Sequence, residues 1–241
     1  MEHAIEQSLA VLQEAYQQHG ERLVYPCSFG AESAVMLELI HRHGGHIPVV
    51  TLDTGRLPQA TYDVIEEVEQ YYGIRIRVLC PDHAAVETMV AADGINGFRT
   101  SPELRKQCCH IRKVEPLKRA LADYDAWITG RRAEQSATRA ELSTVDAYDP
   151  VYGLIKYNPL ASWTWSQITA FIAQYQLPHN RLLDRHYQSI GCECCTRPIT
   201  MGEDPRSGRW WWEQADIASE CGLHVTSLTP PAGEGEQGEG I

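Results

Sequence analysis

The 241-residue chain contains no run of eighteen apolar residues, which argues against a membrane-spanning helix. Residues 1–20, MEHAIEQSLAVLQEAYQQHG, lack the basic segment and apolar stretch of a secretory leader and carry acids and glutamines instead. A cytoplasmic location, with no membrane partner, is therefore expected. A basic excess is also missing: 21 Lys and Arg against 32 Asp and Glu leave a formal charge of −11, which argues against a broad nucleic-acid surface. There is no internal repeat, no Gly-Lys-Ser loop ending and no G-x-G-x-x-G spacing, so neither a Walker loop nor a dinucleotide fingerprint is present. With 43% hydrophobic residues, the composition suits one sizeable core, or one domain with an appended segment.

Cysteine, by contrast, is plentiful. In a reducing compartment eight cysteines are read as metal ligands or reactive thiols rather than disulfides. IGCECCTR holds Cys192, Cys194 and Cys195, and KQCCHIRK holds the adjacent pair Cys108 and Cys109. A Cys-x-x-Cys pair brings two sulfurs to one metal, and a second pair from a distant segment can complete four thiolates. Neighbouring side chains diverge, so Cys108 and Cys109 converge on one small ion only across a bend or a helix start. A cluster of several irons relaxes that demand, and the geometry favours iron–sulfur over zinc. Cys27 and Cys80 lie beside apparent strands and suit inert buried thiols. Cys221, in SECGLH with His224 close behind, suits either a nucleophile presented to a second protein or an incidental surface thiol.

Along the chain, Ile5, Leu9, Leu12 and Tyr16 predict a helix over 3–18, closed by Gly20 and packed outside a sheet. Strands are expected in RLVYP, HIPVVTL, IRIRVLCP and DAWITG. Helices are expected from Glu32, over PQATYDVIEEVEQYYG, from near Cys109, and in LASWTWSQITAFIAQY with Ser162 as cap and Ile168, Phe171 and Ile172 on the buried face. Strand and helix alternating with short links predict an α/β fold with an open, mainly parallel sheet covered on both faces. Ligands bind at the carboxyl ends of such strands, which sets SFGAES, LDTGR and TGRRAEQSATR along one rim. SFGAES reads either as an ordinary strand-to-helix turn or as a short phosphate loop. In the latter, Ser28 and Ser33 offer hydroxyls, Gly30 permits close approach, and the following helix directs amides at an anion. Ten of the 21 Lys and Arg fall between Arg99 and Arg139, a local positive zone suited to a small anion or, more blandly, to solvated helix faces. Residues 229–241, TPPAGEGEQGEGI, have little to bury and are expected to be flexible. Three successive aromatics, Trp210, Trp211 and Trp212, cannot all face one core; they either anchor the last segment or include one that covers a site or partner.

YPCSFGAESAVMLELI, LDTGR, CCHIRKVEPLKRAL, TGRRAEQSATRA, GCECCTRPI, GRWWWE and ECGLH, in that order over nearly the whole chain, resemble the assimilatory adenylyl-sulfate reductases. These are thioredoxin-dependent enzymes on the PP-loop adenine nucleotide α-hydrolase fold. The resemblance implies a PP-loop domain with its iron–sulfur site over 1–200 and a C-terminal segment, 201–241, carrying the nucleophile. It implies a 4Fe-4S cluster on Cys108, Cys109, Cys192 and Cys195, with Cys194 where the family commonly has proline. Catalytic roles fall to Cys221, Lys113, Arg206 and Arg209. Substrate binding falls to Ser28, Phe29, Gly30, Glu32, Ser33, Asp53, Thr54, Gly55, Arg56, Arg112, Gly130 and Arg131. Partners implied are adenylyl sulfate and thioredoxin, within a homo-oligomer. Competing readings are dual use of the 3′-phosphorylated substrate, a PP-loop tRNA thiolase, and a zinc-ribbon module on a nonenzymatic sheet.

Overall fold

The computed structural model describes residues 1–135, 142–146 and 148–213. Six strands form one sheet: β1 (Leu23–Pro26), β2 (Val49–Leu52), β3 (Arg77–Leu79), β4 (Ala126–Ile128), β5 (Val145–Asp146) and β6 (Ile155–Tyr157), in the order β3-β2-β1-β4-β6-β5. Every pairing is parallel except β5 with β6. The four strands expected from the sequence are present. β5 and β6 extend the sheet beyond them.

Side chains alternate across the sheet as strand geometry requires. Leu23 and Tyr25 of β1, Val49 of β2, and Ala126 and Ile128 of β4 enter one core. Helices α1 (Glu2–His19), α2 (Ala31–His43), α3 (Gln59–Tyr72) and α7 (Trp165–Tyr175) bury their apolar stripes in the same core through Leu12, Leu39, Val64 and Phe171. Val24, Val50 and Trp127 point the other way, against Leu117, Ala120 and Leu121 of α6 (Glu115–Leu121). The sheet is thus covered on both faces. α4 (His83–Asp93) follows β3 and buries only Met89. No described helix is long and apolar enough to cross a membrane.

Two helix starts differ from expectation. α7 is capped by Thr164, not Ser162, because the helix begins at Trp165; Thr164 and Gln167 form a reciprocal capping box. The helix expected near Cys109 begins earlier, as α5 (Pro102–Cys109), with Ser101 accepting from the Leu104 amide. α5 runs through a π-helical turn, His110–Val114, directly into α6. Such wide turns are frequent at functional sites.

Strand order fixes where a ligand can bind. The chain moves from β1 outward through β2 to β3, then returns to lay β4 on the opposite side of β1. Crossovers diverge there, and a crevice opens beyond the carboxyl ends of β1 and β4. Leu39 of α2 is fully buried in the core. Leu39→Ala is expected to destabilise the fold by about 2–5 kcal/mol, read from the urea midpoint at unchanged m-value.

Candidate active site

A cavity of about 450 Å³ occupies this crevice, within the size range of small-molecule sites. Its first wall is the loop after β1, with Ser28, Gly30, Glu32 and Ser33 on the surface. Gly30 caps α2 without a side chain, so no capping oxygen competes with an incoming anion for the first-turn amides. The unusual backbone here belongs to Phe29 rather than to Gly30. Phe29 has φ 56° and buries its ring in the core, while Gly30 has φ −78°.

The second wall is the loop after β4. Arg132 is buried and binds Glu32 through Nε at 2.9 Å and Nη2 at 2.8 Å, which ties the two walls together across the switch point. Its Nη1 donates to Glu134 at 2.8 Å. Gly130 makes this approach feasible, because a Cβ there would lie 3.1 Å from Glu32 Cβ. Arg131 also faces the cavity and pairs with Asp146 at 3.4 Å.

The far wall is basic. Arg206 and Arg209 enter from the last described segment, and Lys113 enters from the π turn. Arg209 lies across Gly191, where a Cβ would fall 2.3 Å from its Nη2; only the missing side chain leaves room for the guanidinium. Arg209 Nη1 reaches Ser189 Oγ and the Ile190 carbonyl, each at 3.4 Å.

Of the residues picked from the sequence, Ser28, Gly30, Glu32, Ser33, Thr54, Gly130, Arg131, Lys113, Arg206 and Arg209 line the cavity together. Phe29, Asp53, Gly55, Arg56 and Arg112 do not. Asp53 accepts from the Gly55 amide and from Tyr62, both at 2.8 Å, and so shapes the loop after β2. Gly55, at φ 69°, lets Arg112 reach beneath that loop to donate to the Thr54 carbonyl at 2.6 Å. Arg56 turns towards the cysteines. Arg132 and Gln135 line the cavity from the rim segment TGRRAEQSATR without having been singled out in it, and Trp165 and Ser189 line it although sequence reasoning missed them. The duplicated Arg of TGRR is a usable signal; Trp165 is hidden at the start of a helix whose sequence pattern points only to a buried face.

A second, small void adjoins the first. Cys108, Cys109, Cys192, Cys194 and Cys195 surround it with Arg56, Arg105, Arg112 and Lys113. These cysteines form a third apolar cluster with Phe98 and Trp210. Among the described residues, no three His, Cys, Asp or Glu side chains are arranged to hold a single metal ion. The donor set nonetheless fits a larger thiolate-bound group, since four cysteines from two distant segments border one enclosed space. Thr54 Oγ1 lies 3.2 Å from Cys192 Sγ. Cys194 faces Arg56, 3.5 Å away, and its sulfur is 3.8 Å from that of Cys195. As free thiols, a hydrogen bond between them and the Arg56 guanidinium hold Cys194 down to about 6, and the same bond keeps the proton on Cys195. Cys221 and His224 lie outside the described residues.

An open, mainly parallel sheet with an anion-suited cavity at its switch point and a cysteine-lined void beside it defines an α/β protein with a small-ligand site next to a group of thiols. The chain belongs to the phosphoadenosine phosphosulfate reductase domain family, whose model matches residues 22–198. It is 49% identical over 210 residues to the adenosine 5′-phosphosulfate reductase of Allochromatium vinosum, covering 87% of this chain and 81% of that protein. It is 46% identical over 234 residues to the enzyme of the same name from Burkholderia cepacia, covering 97% and 92%. Among solved structures, the phosphoadenylyl-sulfate reductase of Candida auris in a phosphate complex superposes with a TM-score of 0.67 at 27% identity, covering 79% of this chain and 90% of that one.

Burial pushes the Cys27 thiol, on the cavity floor, up to about 12. The folded chain therefore holds a proton that the unfolded chain loses above its ordinary range near 9. This contribution to stability is complete below that range and declines as pH rises toward 12. Cys27→Ala is expected to flatten this part of the pH–stability curve. Cys80, expected from its place beside a strand to be buried like Cys27, is instead exposed, so native protein treated with iodoacetamide at neutral pH should be modified at Cys80 and not at Cys27, as peptide mass spectrometry would read.

Proposed function

We propose that the protein is a cytoplasmic adenylyl-sulfate reductase of sulfate assimilation, reducing its substrate to sulfite with thioredoxin through an enzyme S-sulfocysteine. The observation that carries this reading is the double placement of Lys113, which lines both the basic end of the cavity and the cysteine void. The names of the bacterial relatives supply the substrate.

Adenylyl sulfate joins sulfate to AMP as a mixed anhydride, so its sulfur is electrophilic and AMP leaves readily. In this reading the loop after β1 and the paired Glu32 and Arg132 bind the adenylate end. Lys113, Arg206 and Arg209 meet the sulfate and bridging phosphate. The thiolate of Cys221 attacks the sulfate sulfur, the bond to the AMP oxygen breaks, and Cys221 carries the sulfonate while AMP departs. Thiolate and sulfate repel one another, and the three cations offset that repulsion where charge accumulates in the transition state. A thioredoxin thiolate then attacks Sγ of Cys221 and expels sulfite. The second thioredoxin thiol resolves the mixed disulfide, returning the Cys221 thiolate. The dithiol thus provides the two electrons that take sulfate sulfur to sulfite.

Cys108, Cys109, Cys192 and Cys195 would hold the 4Fe-4S cluster. When bound, it supplies a charged, polarisable neighbour to Lys113 and need not carry electrons. We further propose a homo-oligomer with residues 1–200 as nucleotide domain and 201–241 as the nucleophile-bearing segment.

The test is sulfite release from adenylyl sulfate by anaerobically purified protein with thioredoxin, with the 3′-phosphorylated substrate assayed in parallel. Wild type is expected to be brown and active. Cys221→Ser should be brown and inactive, whereas full activity in that variant would sink the covalent route. Lys113→Ala is expected to slow sulfonation of Cys221 about a hundredfold, the usual consequence of losing one preorganised donor at a developing charge.

A further inference from the structure

The segment that brings Arg206 and Arg209 to the cavity has no regular secondary structure. It follows Cys195 through one isolated antiparallel bridge, Thr196 with Arg209, and through amide bonds from Arg197 to the Gly208 carbonyl (2.9 Å) and from Trp210 to the Cys195 carbonyl (3.3 Å). Turn bonds then run from Arg209 to Arg206 and from Glu213 to Trp210, each 2.8 Å. At its end, Glu213 enters the interior and accepts a two-pronged contact from Arg105, Nε to Oε1 at 2.9 Å and Nη2 to Oε2 at 2.8 Å. Their side chains are 1% and 3% exposed. Arg105 stands one turn before Cys108 and Cys109 on α5, so it shares their face of the helix. Between the two basic groups lies Trp210, 1% exposed, with Arg105 Cζ 4.4 Å and Arg209 Cζ 4.8 Å from the ring centroid.

Burying two charges is a poor route to net stability when apolar side chains of similar size would serve as well. A forked pair nonetheless permits one arrangement of its partners and few others. We propose that Arg105 and Glu213 form a positioning latch. It fixes segment 206–213 against the cysteine-bearing helix and, through the shared Trp210 ring, sets the Arg209 guanidinium in the cavity. It also fixes the point from which residues 214–220 lead to Cys221 in the sequence. This inference rests on the reductase reading only for its kinetic consequence; its structural half stands without it.

The test uses the full-length, anaerobically prepared protein with its iron–sulfur absorbance intact, and compares wild type with Glu213→Gln, Glu213→Asp and Arg105→Lys. Hydrogen exchange followed by mass spectrometry is expected to show faster exchange across 206–213 in Glu213→Gln, with the peptides of β1, β2 and β4 unchanged. In single turnover with adenylyl sulfate, Glu213→Gln should sulfonate Cys221 about a hundredfold more slowly, as for a misplaced reacting group. Absorbance should be retained, and Glu213→Asp should recover much of the rate. Arg105→Lys keeps the cation without the fork and should move both readouts in the same direction, which also covers a Glu213→Gln protein that fails to fold. Wild-type exchange or a wild-type rate in both Glu213→Gln and Arg105→Lys would overturn the latch. So would exchange accelerated equally throughout the sheet, because that marks a general loss of stability. If wild type itself released no sulfite, the reductase reading would fall and the exchange comparison would still decide the latch.

Discussion

A mainly parallel sheet whose strand order reverses at one strand must open a crevice beside it. β1 is flanked by β2 and β4, and the crossovers leaving these strands diverge, so nothing in the sheet fills the space beyond their carboxyl ends. The remainder of the architecture responds to that opening. The salt bridge from Arg132 to Glu32 limits its width, and Gly130 lets the two loops come that close. The cysteine void and the last described segment close its far end. An assembly of this kind keeps its rigid parts in the strands and its chemistry in the loops, as is usual where binding groups sit on a stiff scaffold.

The boundary between the two cavities is built from few side chains with divided duties. Thr54 lines the large cavity, its hydroxyl touches Cys192, and its carbonyl accepts from Arg112. Lys113 borders both spaces. Any electrostatic change at the cysteines is therefore felt within one side chain of the cavity, in surroundings that screen charge poorly.

Much of the fold was legible because its signals were local. β1, β2 and β4 are apolar runs bounded by Gly, Pro or Asp, β3 ends an alternating Ile-Arg segment, and the three rim loops follow strands directly. β5 escaped because it is only two residues long, and β6 because Lys156 sits in the middle of Ile155–Tyr157. A strand lysine normally marks an exposed face; here it is buried, paired with Asp149, and lies 5.0 Å from the Trp127 ring centre. That arrangement depends on contacts remote in sequence, which no local pattern encodes. The same holds at the site. Ser28, Gly30 and Ser33 could be picked from one loop, whereas the exclusion of Arg56 from the cavity depends on Cys194, Asn96 and Ile95 drawing its guanidinium elsewhere. Of the three tryptophans, Trp210 anchors the last segment, Trp212 packs at a tilt on Phe98, and Trp211 is partly exposed. Their order along the chain carries no hint of that division.

The π turn at His110–Val114 has a consequence for which sequences this fold can tolerate. One additional residue is accommodated there without breaking the helical path from α5 into α6, between Cys108 and Cys109 on one side and Leu117 and Leu121 on the other. Removing a single residue between Cys109 and Glu115 would restore an ordinary helix, leaving the cysteine and leucine faces nearly in register but taking away the extra position that bulges toward the site. Both the length of this stretch and the identities of Arg112 and Lys113 are therefore constrained, because the wide turn is what presents those two cations between the cysteines and the sheet-packing leucines.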